Sequence, residues 1–215
     1  MPLPPNPWMQ LREAPWVLPQ DKVAVGKHNK RYQGTAYELR LELRPEPFIG
    51  APAAPVWLLN LNPGFDEDDL DVGPQIIARQ EQGIRLENHS FWYLDPVFAC
   101  PGQRWWARNL RPIIREYGLD FAMQSFFCAE LYPYHSYRYR KCRQHLPSQL
   151  FTAALVRDGC TKGKSFIIMR ARAAWMQLVP ELENANWTEL RNKRNPFISH
   201  KNLRDCAFLR RAFHA

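Results

Sequence analysis

The chain has 215 residues, of which 46% are hydrophobic, and it carries a formal net charge of +8. This length and apolar content suit one folded domain and exclude a largely disordered chain. No apolar run approaches the roughly 20 residues that a membrane-spanning helix needs, so a membrane partner is excluded as well. The basic charge favours a polyanionic partner, and nucleic acid is the first of these.

Five cysteines are widely spaced and include no C-x-x-C pair, a pattern that argues against zinc or an iron–sulfur cluster. We therefore expect free thiols in a reducing compartment, with no metal and no other cofactor. The N-terminus lacks the charged and then apolar plan of a signal peptide, so a cytoplasmic protein is expected.

The first elements follow a Pro-rich stretch. Residues 1–30 are expected to form an irregular strap over a single domain that spans residues 1–215. Residues 37–43 alternate between apolar and polar side chains, which predicts a half-exposed strand that ends at Pro45. Residues 56–61 are mostly apolar and predict the first buried strand.

Helices and strands alternate along the rest of the chain. Helices are predicted at about 75–82, 105–117, 148–157, 171–178 and 202–213, and strands at about 123–131, 165–169 and 187–190. This alternation predicts an α/β fold, specifically a three-layer α/β/α sandwich with a mainly parallel central sheet. Right-handed crossovers then place the loops after Asn62, Leu131 and Met169 at one edge, where they face a shared crevice.

An Asn-Pro-Gly turn ends the first buried strand. Pro63 fixes φ and Gly64 permits positive φ, so the backbone there has a defined shape. Asn62 is held directly before that turn and is expected to aim its amide into the crevice, with Phe65 just beyond. The alternative is an ordinary turn after a strand.

A second candidate segment, residues 132–141, follows the strand predicted at 123–131. Its tyrosines alternate with cations, so rings can stack on bases while Arg and Lys hold phosphates. We expect nucleic-acid contacts from Tyr134, Arg138 and Arg140, with His135 in the pocket. The alternative is a surface loop whose tyrosines pack on the domain and whose cations are solvated.

A third segment, residues 191–202, is basic and precedes the last predicted helix, for which Asn202 is the expected N-cap. Helix N-termini bind anions through free N–H groups, so Ser199 and Lys201 are expected to contact a phosphate, with His200 beside them. The alternative is a basic, well-capped loop. Residues 66–71 are acidic, and we interpret them as a solvated stretch that disfavours close approach of DNA at that edge.

In order and spacing these segments resemble the uracil-DNA glycosylase superfamily, especially its mismatch-specific and single-strand-selective branches. The first family motif, Gly-hydrophobic-Asn-Pro-Gly, is similar to residues 60–64, where Asn60 replaces the leading glycine. The second family motif is similar to Asn195-Pro196. The resemblance implies the family's fold and a mechanism in which a flipped nucleotide loses its base through an oxocarbenium-like sugar.

The resemblance also implies catalytic roles. Asn62 would position the attacking water, and Asn195 would stabilise the departing base as an anion. His200 lies close to the place of the family's leaving-group histidine, and residues 198–202 would form the wedge that fills the vacated stack. Because an amide is no general base, such a site relies on orientation and electrostatics.

A base pocket is implied in the same way. Phe91 would stack on the flipped base, and Cys128 or Glu130 stands near the place of the family's base-reading asparagine. The complete predicted pocket consists of Pro63, Gly64, Phe65, Phe91, Glu130 and His135.

The function expected from these residues is that of a divergent DNA glycosylase, a monomer that hydrolyses the N-glycosidic bond of uracil or a related damaged base in DNA. Two alternatives stay open. One is a glycosylase-fold protein that binds nucleic acid without catalysis. The other is an enzyme that acts on a small nucleotide in the same crevice, which the acidic stretch at residues 66–71 favours.

Overall fold

The computed structural model describes residues 3–87 and 89–214, which form five β-strands and seven α-helices. The strands are β1 (Phe48–Gly50), β2 (Val56–Asn60), β3 (Phe126–Glu130), β4 (Ser165–Ile168) and β5 (Asn186–Glu189). The helices are α1 (Lys22–Tyr32), α2 (Pro74–Arg85), α3 (Pro101–Tyr117), α4 (Leu119–Ser125), α5 (Gln149–Thr161), α6 (Arg172–Leu178) and α7 (Phe208–His214). Among the described helices, none combines the length and the apolar character of a membrane span. The predicted α/β class is confirmed.

A single mixed sheet contains the five strands in the order β1-β3-β2-β4-β5. β2 lies at the centre and pairs in parallel with β3 and β4, so that Leu58 lies opposite both Cys128 and Ile167. β5 continues the parallel part beyond β4, whereas β1 pairs antiparallel with β3 at the other edge. The prediction of a mainly parallel sheet is confirmed.

Two apolar cores lie against the two faces of this sheet. Because side chains alternate along a strand, Trp57 and Leu59 belong to one core, and Val56 and Leu58 belong to the other. Helices α1, α5 and α6 contribute to the first core, and α3, α4 and α7 contribute to the second. Helices on both faces are compatible with the predicted three-layer arrangement.

The half-exposed strand predicted at 37–43 is wrong, because these residues form turns and irregular backbone. Asn29 of α1 takes the place of a neighbouring strand. Its side-chain oxygen accepts a hydrogen bond from the Leu39 N–H at 2.9 Å, and its nitrogen donates to the Leu39 carbonyl at 2.8 Å. A side chain that satisfies both backbone groups removes the need for a ladder, while Leu39 still packs into the first core.

Other predicted boundaries are also corrected. Residues 22–30 of the strap are helical in α1, and Met1 and Pro2 of that strap lie outside the described residues. Residues 123–125 belong to α4 rather than to the strand after it. The last helix begins at Phe208, and Asn202 is not its N-cap, because the Asn202 amide donates instead to the carbonyl of Phe197 at 2.8 Å.

Candidate functional site

The carboxyl ends of β2 and β3 open onto a cavity of about 510 Å³. Open parallel sheets place ligands at this edge, and the volume lies within the usual range of small-molecule sites. The turn after β2 and the loop after β3 (the β3–α5 loop, residues 131–148) both line it, as predicted. The predicted site residues that line the cavity are Asn62, Pro63, Gly64, Phe65, Glu130, His135 and Arg138.

The Asn62 amide is held in one orientation by two hydrogen bonds. Its Nδ2 donates to the Pro63 carbonyl at 2.8 Å and to the Ser136 hydroxyl at 3.3 Å. These contacts occupy the donors and leave Oδ1 without a hydrogen bond to any described residue. The proline turn and the β3–α5 loop thus present a fixed acceptor to the cavity.

Glu130, at the last position of β3, is only 2% exposed. Its Oε1 accepts a hydrogen bond from Asn60 Nδ2 at 2.9 Å, whereas Oε2 is buried and has no partner among the described residues. Burial raises the pKa of Glu130 from 4.5 to about 8, and the nearby Glu46 carboxylate acts in the same direction. The carboxyl is therefore mostly protonated at pH 7, so it can donate a hydrogen bond as well as accept one.

His135 is 5% exposed, and its Nδ1 lies 2.7 Å from the Gly64 carbonyl oxygen. A carbonyl oxygen only accepts, so Nδ1 carries the hydrogen, and in the corresponding neutral tautomer Nε2 is an acceptor. Nε2 is buried and makes no hydrogen bond within the described chain. A second oriented acceptor therefore lines the same cavity as Asn62.

Sequence reasoning missed other cavity residues because they lie in segments without a motif. Glu46, just before β1, accepts hydrogen bonds from the Tyr93 hydroxyl and from Gln80 Nε2 (2.6 Å). Burial raises the pKa of Tyr93 well above its ordinary value, and it raises the pKa of Asp69 as well. Arg170 also lines the cavity, and its position just after a predicted buried strand was the one signal that could have identified it.

A glycine in the first turn of α3 sets the shape of the cavity wall. A Cβ on Gly102 would lie 2.6 Å from Tyr93 Cζ and 2.9 Å from its hydroxyl oxygen, whereas a Cβ on Gly26 in α1 would meet nothing within 4 Å. We expect Gly102→Ala to destabilise the protein by about 1–3 kcal/mol through overpacking. The matched Gly26→Ala is expected to stabilise it by about 0.5–1 kcal/mol. Urea unfolding of both variants checks this pair, and equal shifts would contradict it.

The structure corrects two predicted contacts. Phe91 is 0% exposed and packs edge-on against Trp106 at 4.9 Å between ring centroids, so it offers no face to a flipped base. Tyr134 is 1% exposed, and its hydroxyl donates to the Asp21 carboxylate at 2.8 Å. It belongs to the first core and not to a nucleic-acid surface. Arg140, by contrast, is exposed as predicted, with its guanidinium 4.7 Å from the centre of the Tyr37 ring.

The second family-like motif does not line the cavity. Asn195 is exposed, and its backbone is held by Asn192 and Asn202. His200 lies against α3, where its Nε2 is 3.2 Å from the Tyr117 hydroxyl and 3.3 Å from Glu116. Ser199 and Lys201 are likewise absent from the lining, and Ile198 of the expected wedge is buried in the second core.

Three polar atoms define what the cavity can do chemically. Asn62 Oδ1 and His135 Nε2 can accept the hydrogens of a water molecule, and the protonated Glu130 carboxyl can donate to a carbonyl oxygen. Aromatic faces complete the lining, among them Phe65, whose ring is 4.6 Å from that of Tyr137. Comparisons of the chain with protein-family models, curated proteins and solved structures find no match.

Proposed function

We propose that the chain is a divergent member of the uracil-DNA glycosylase superfamily that hydrolyses the N-glycosidic bond of a base flipped into the cavity. The observation that carries this proposal is the convergence of Asn62, Glu130 and His135 on one cavity at the carboxyl edge of the parallel strands. Two of these side chains hold buried polar atoms that have no partner among the described residues, Glu130 Oε2 and His135 Nε2. A bound base and a water molecule would satisfy both atoms.

In the proposed reaction, Asn62 Oδ1 orients a water molecule beneath the sugar, and His135 Nε2 accepts a proton from it. The bond between the anomeric carbon and the base breaks, its electron pair leaves with the base, and the water oxygen bonds to the oxocarbenium-like sugar. His135 then supplies the base that an amide at position 62 cannot. The proton on His135 is finally passed to solvent or to the departed base.

The leaving base needs stabilisation that the predicted Asn195 is not placed to give. We assign this role to Glu130 and Arg170, both of which line the cavity. While the base is still neutral, the protonated Glu130 carboxyl donates a hydrogen bond to its carbonyl oxygen. As the glycosidic bond breaks, the Arg170 guanidinium offsets the negative charge that develops on the base. This division of labour favours bases that carry a ring carbonyl oxygen, as uracil, hypoxanthine and xanthine do.

Base release tests this proposal directly. The protein is incubated with oligonucleotides that contain uracil, hypoxanthine or xanthine, both single- and double-stranded, and free base is measured by chromatography. We expect release of at least one of these bases, abolished in a Glu130→Ala/His135→Ala variant that retains its fold. If none of the substrates loses a base, glycosylase activity on them is excluded.

A second candidate function, an enzyme on a small nucleoside, is favoured by the acidic lining. Glu46, Asp66 and Asp69 line the cavity, and unneutralised carboxylates repel phosphate groups. A free nucleoside would avoid that repulsion. Thermal shift separates the two functions, because a ligand that binds the folded state raises the melting temperature. Stabilisation by nucleosides but not by oligonucleotides would favour the small-molecule enzyme.

A further inference from the structure

A second concavity, of about 620 Å³, lies between α1 and the β3–α5 loop. Its charged lining is exclusively basic and consists of Lys27, Lys30, Arg31 and Arg143, with His28 among the remaining residues. The first cavity holds several carboxylates. Neither the motifs nor the proposed chemistry accounts for this second site.

The exposed cations around the concavity form no ion pair with any carboxylate of the described residues. α1 contains no acidic residue, and neither does the stretch 138–143. Among the described residues, no ion pair involves the exposed cations of either segment, whereas Arg104 pairs with Asp68 at 2.9 Å and Lys193 with Glu189 at 2.8 Å. We call these cations the basic surface, which comprises Lys22, Lys27, Lys30 and Arg31 of α1 with Arg138, Arg140, Lys141 and Arg143 of the loop.

The basic surface is fixed in place and reaches the first cavity. Cys142 Sγ lies 3.4 Å from His28 Nδ1, which joins the loop to α1 beneath the cations. The Arg138 N–H donates to the Ala36 carbonyl at 2.8 Å, and Arg138 also lines the first cavity. The same loop therefore contributes Arg143 to the second concavity and Arg138 to the lining of the candidate active site.

One part of the rim of that cavity carries the other sign of charge. Asp66 and Asp69 line it, and both lie in the acidic stretch at residues 66–71. A polyanion is repelled by these two carboxylates and attracted by the basic surface. We propose that the basic surface binds the phosphate backbone of a DNA strand whose base enters the first cavity, an inference that rests on the proposed function.

Salt-dependent binding of a fluorescent single-stranded oligonucleotide tests the surface. Anisotropy is measured between about 50 and 200 mM salt for the wild type and for Lys30→Ala/Arg31→Ala and Arg140→Ala/Lys141→Ala. Loss of two phosphate contacts should reduce the slope of log affinity against log salt by roughly 1.4 in each variant. The control, Lys162→Ala/Lys164→Ala, removes the same charge beside the amino end of β4 and should leave the slope unchanged.

The proposed role of the basic surface is overturned if the variants and the wild type have equal slopes or if the control loses as much slope as the variants. It is also overturned if phosphatidylserine vesicles at matched anionic charge displace the oligonucleotide. The Lys30→Arg/Arg31→Lys variant keeps both charges, so binding with the wild-type slope in this variant would support the DNA-binding role of the basic surface. Base release separates this inference from the proposed function. If both variants release base at the wild-type rate, the proposed DNA-binding role of the basic surface is wrong and the proposed hydrolysis is retained. If oligonucleotide binding depends on the basic surface but no base is released, the proposed hydrolysis is wrong and the proposed DNA-binding role is retained.

Discussion

At pH 9 the Glu130→Gln variant is expected to be more stable than the wild-type protein by up to roughly 5 kcal/mol. The pKa of the buried carboxyl rises from 4.5 to about 8 on folding, chiefly because burial penalises its charged form. Between these two values the folded state binds more protons than the unfolded state, so the stability of the wild type falls as pH rises from about 5 to 8. Glutamine has nearly the same shape and no charge to desolvate.

Urea unfolding of both proteins at intervals from pH 5 to pH 9 measures this effect. The two curves should nearly coincide at pH 5 and diverge steadily above it. Glu183→Gln is the matched control, because Glu183 is exposed, and its difference from the wild type should be small at every pH. A difference between the two proteins that stays constant across this range would show that Glu130 is not a buried neutral acid.

The Asn62→Ala variant is expected to release base at least about 100-fold more slowly than the wild type, given the proposed function. Loss of a single oriented group at a reacting centre costs on the order of 10²–10³ in rate. Because Asn62 is only partly buried, the free energy of unfolding should change little. Single-turnover release from a uracil oligonucleotide measures the rate, and substrate affinity is measured separately.

Two further variants sharpen that experiment. Ser136→Ala removes one of the two acceptors that orient the Asn62 amide, so it should slow release by a smaller factor while leaving substrate affinity unchanged. Asn184→Ala, at an exposed position away from the cavity lining, should behave like the wild type. A full rate in Asn62→Ala would remove Asn62 from the mechanism.

Strands buried on both faces could be predicted from the sequence, and elements held by side chains could not. β2 and β4 are nearly continuous apolar runs, since each contributes to both cores, and they were found within about a residue. The alternation at 37–43 has the period of a strand, but the Asn29 side chain satisfies Leu39 without one. The sequence of residues 37–43 does not show whether the backbone groups of Leu39 pair with a side chain or with a neighbouring strand. β1 has three residues, which is too few to show a period.

The same distinction applies to the candidate site. Asn62, Glu130 and His135 lie at or shortly after the carboxyl ends of predicted strands, and neighbouring parallel strands bring these ends together. Glu46 and Tyr93 reach the cavity through irregular segments, and their mutual hydrogen bond has no sequence signature. Asn195 and His200 follow the edge strand β5, and their loop packs against α3 instead of bending over the cavity. The order of motifs along the chain does not indicate whether this loop packs against α3 or bends over the cavity.

The central position of β2 has a consequence for how the site behaves on heating. Its backbone is paired on both sides, all five of its residues are buried, and the Asn60 carbonyl also accepts a hydrogen bond from Trp175 Nε1 at 2.8 Å. Amide protons in such a strand exchange with solvent only when the whole molecule opens. The turn that carries Asn62 follows β2, so we expect the site to be anchored to a segment whose amide protons exchange slowly. Thermal loss of ligand binding and thermal loss of folded structure should therefore occur in one transition.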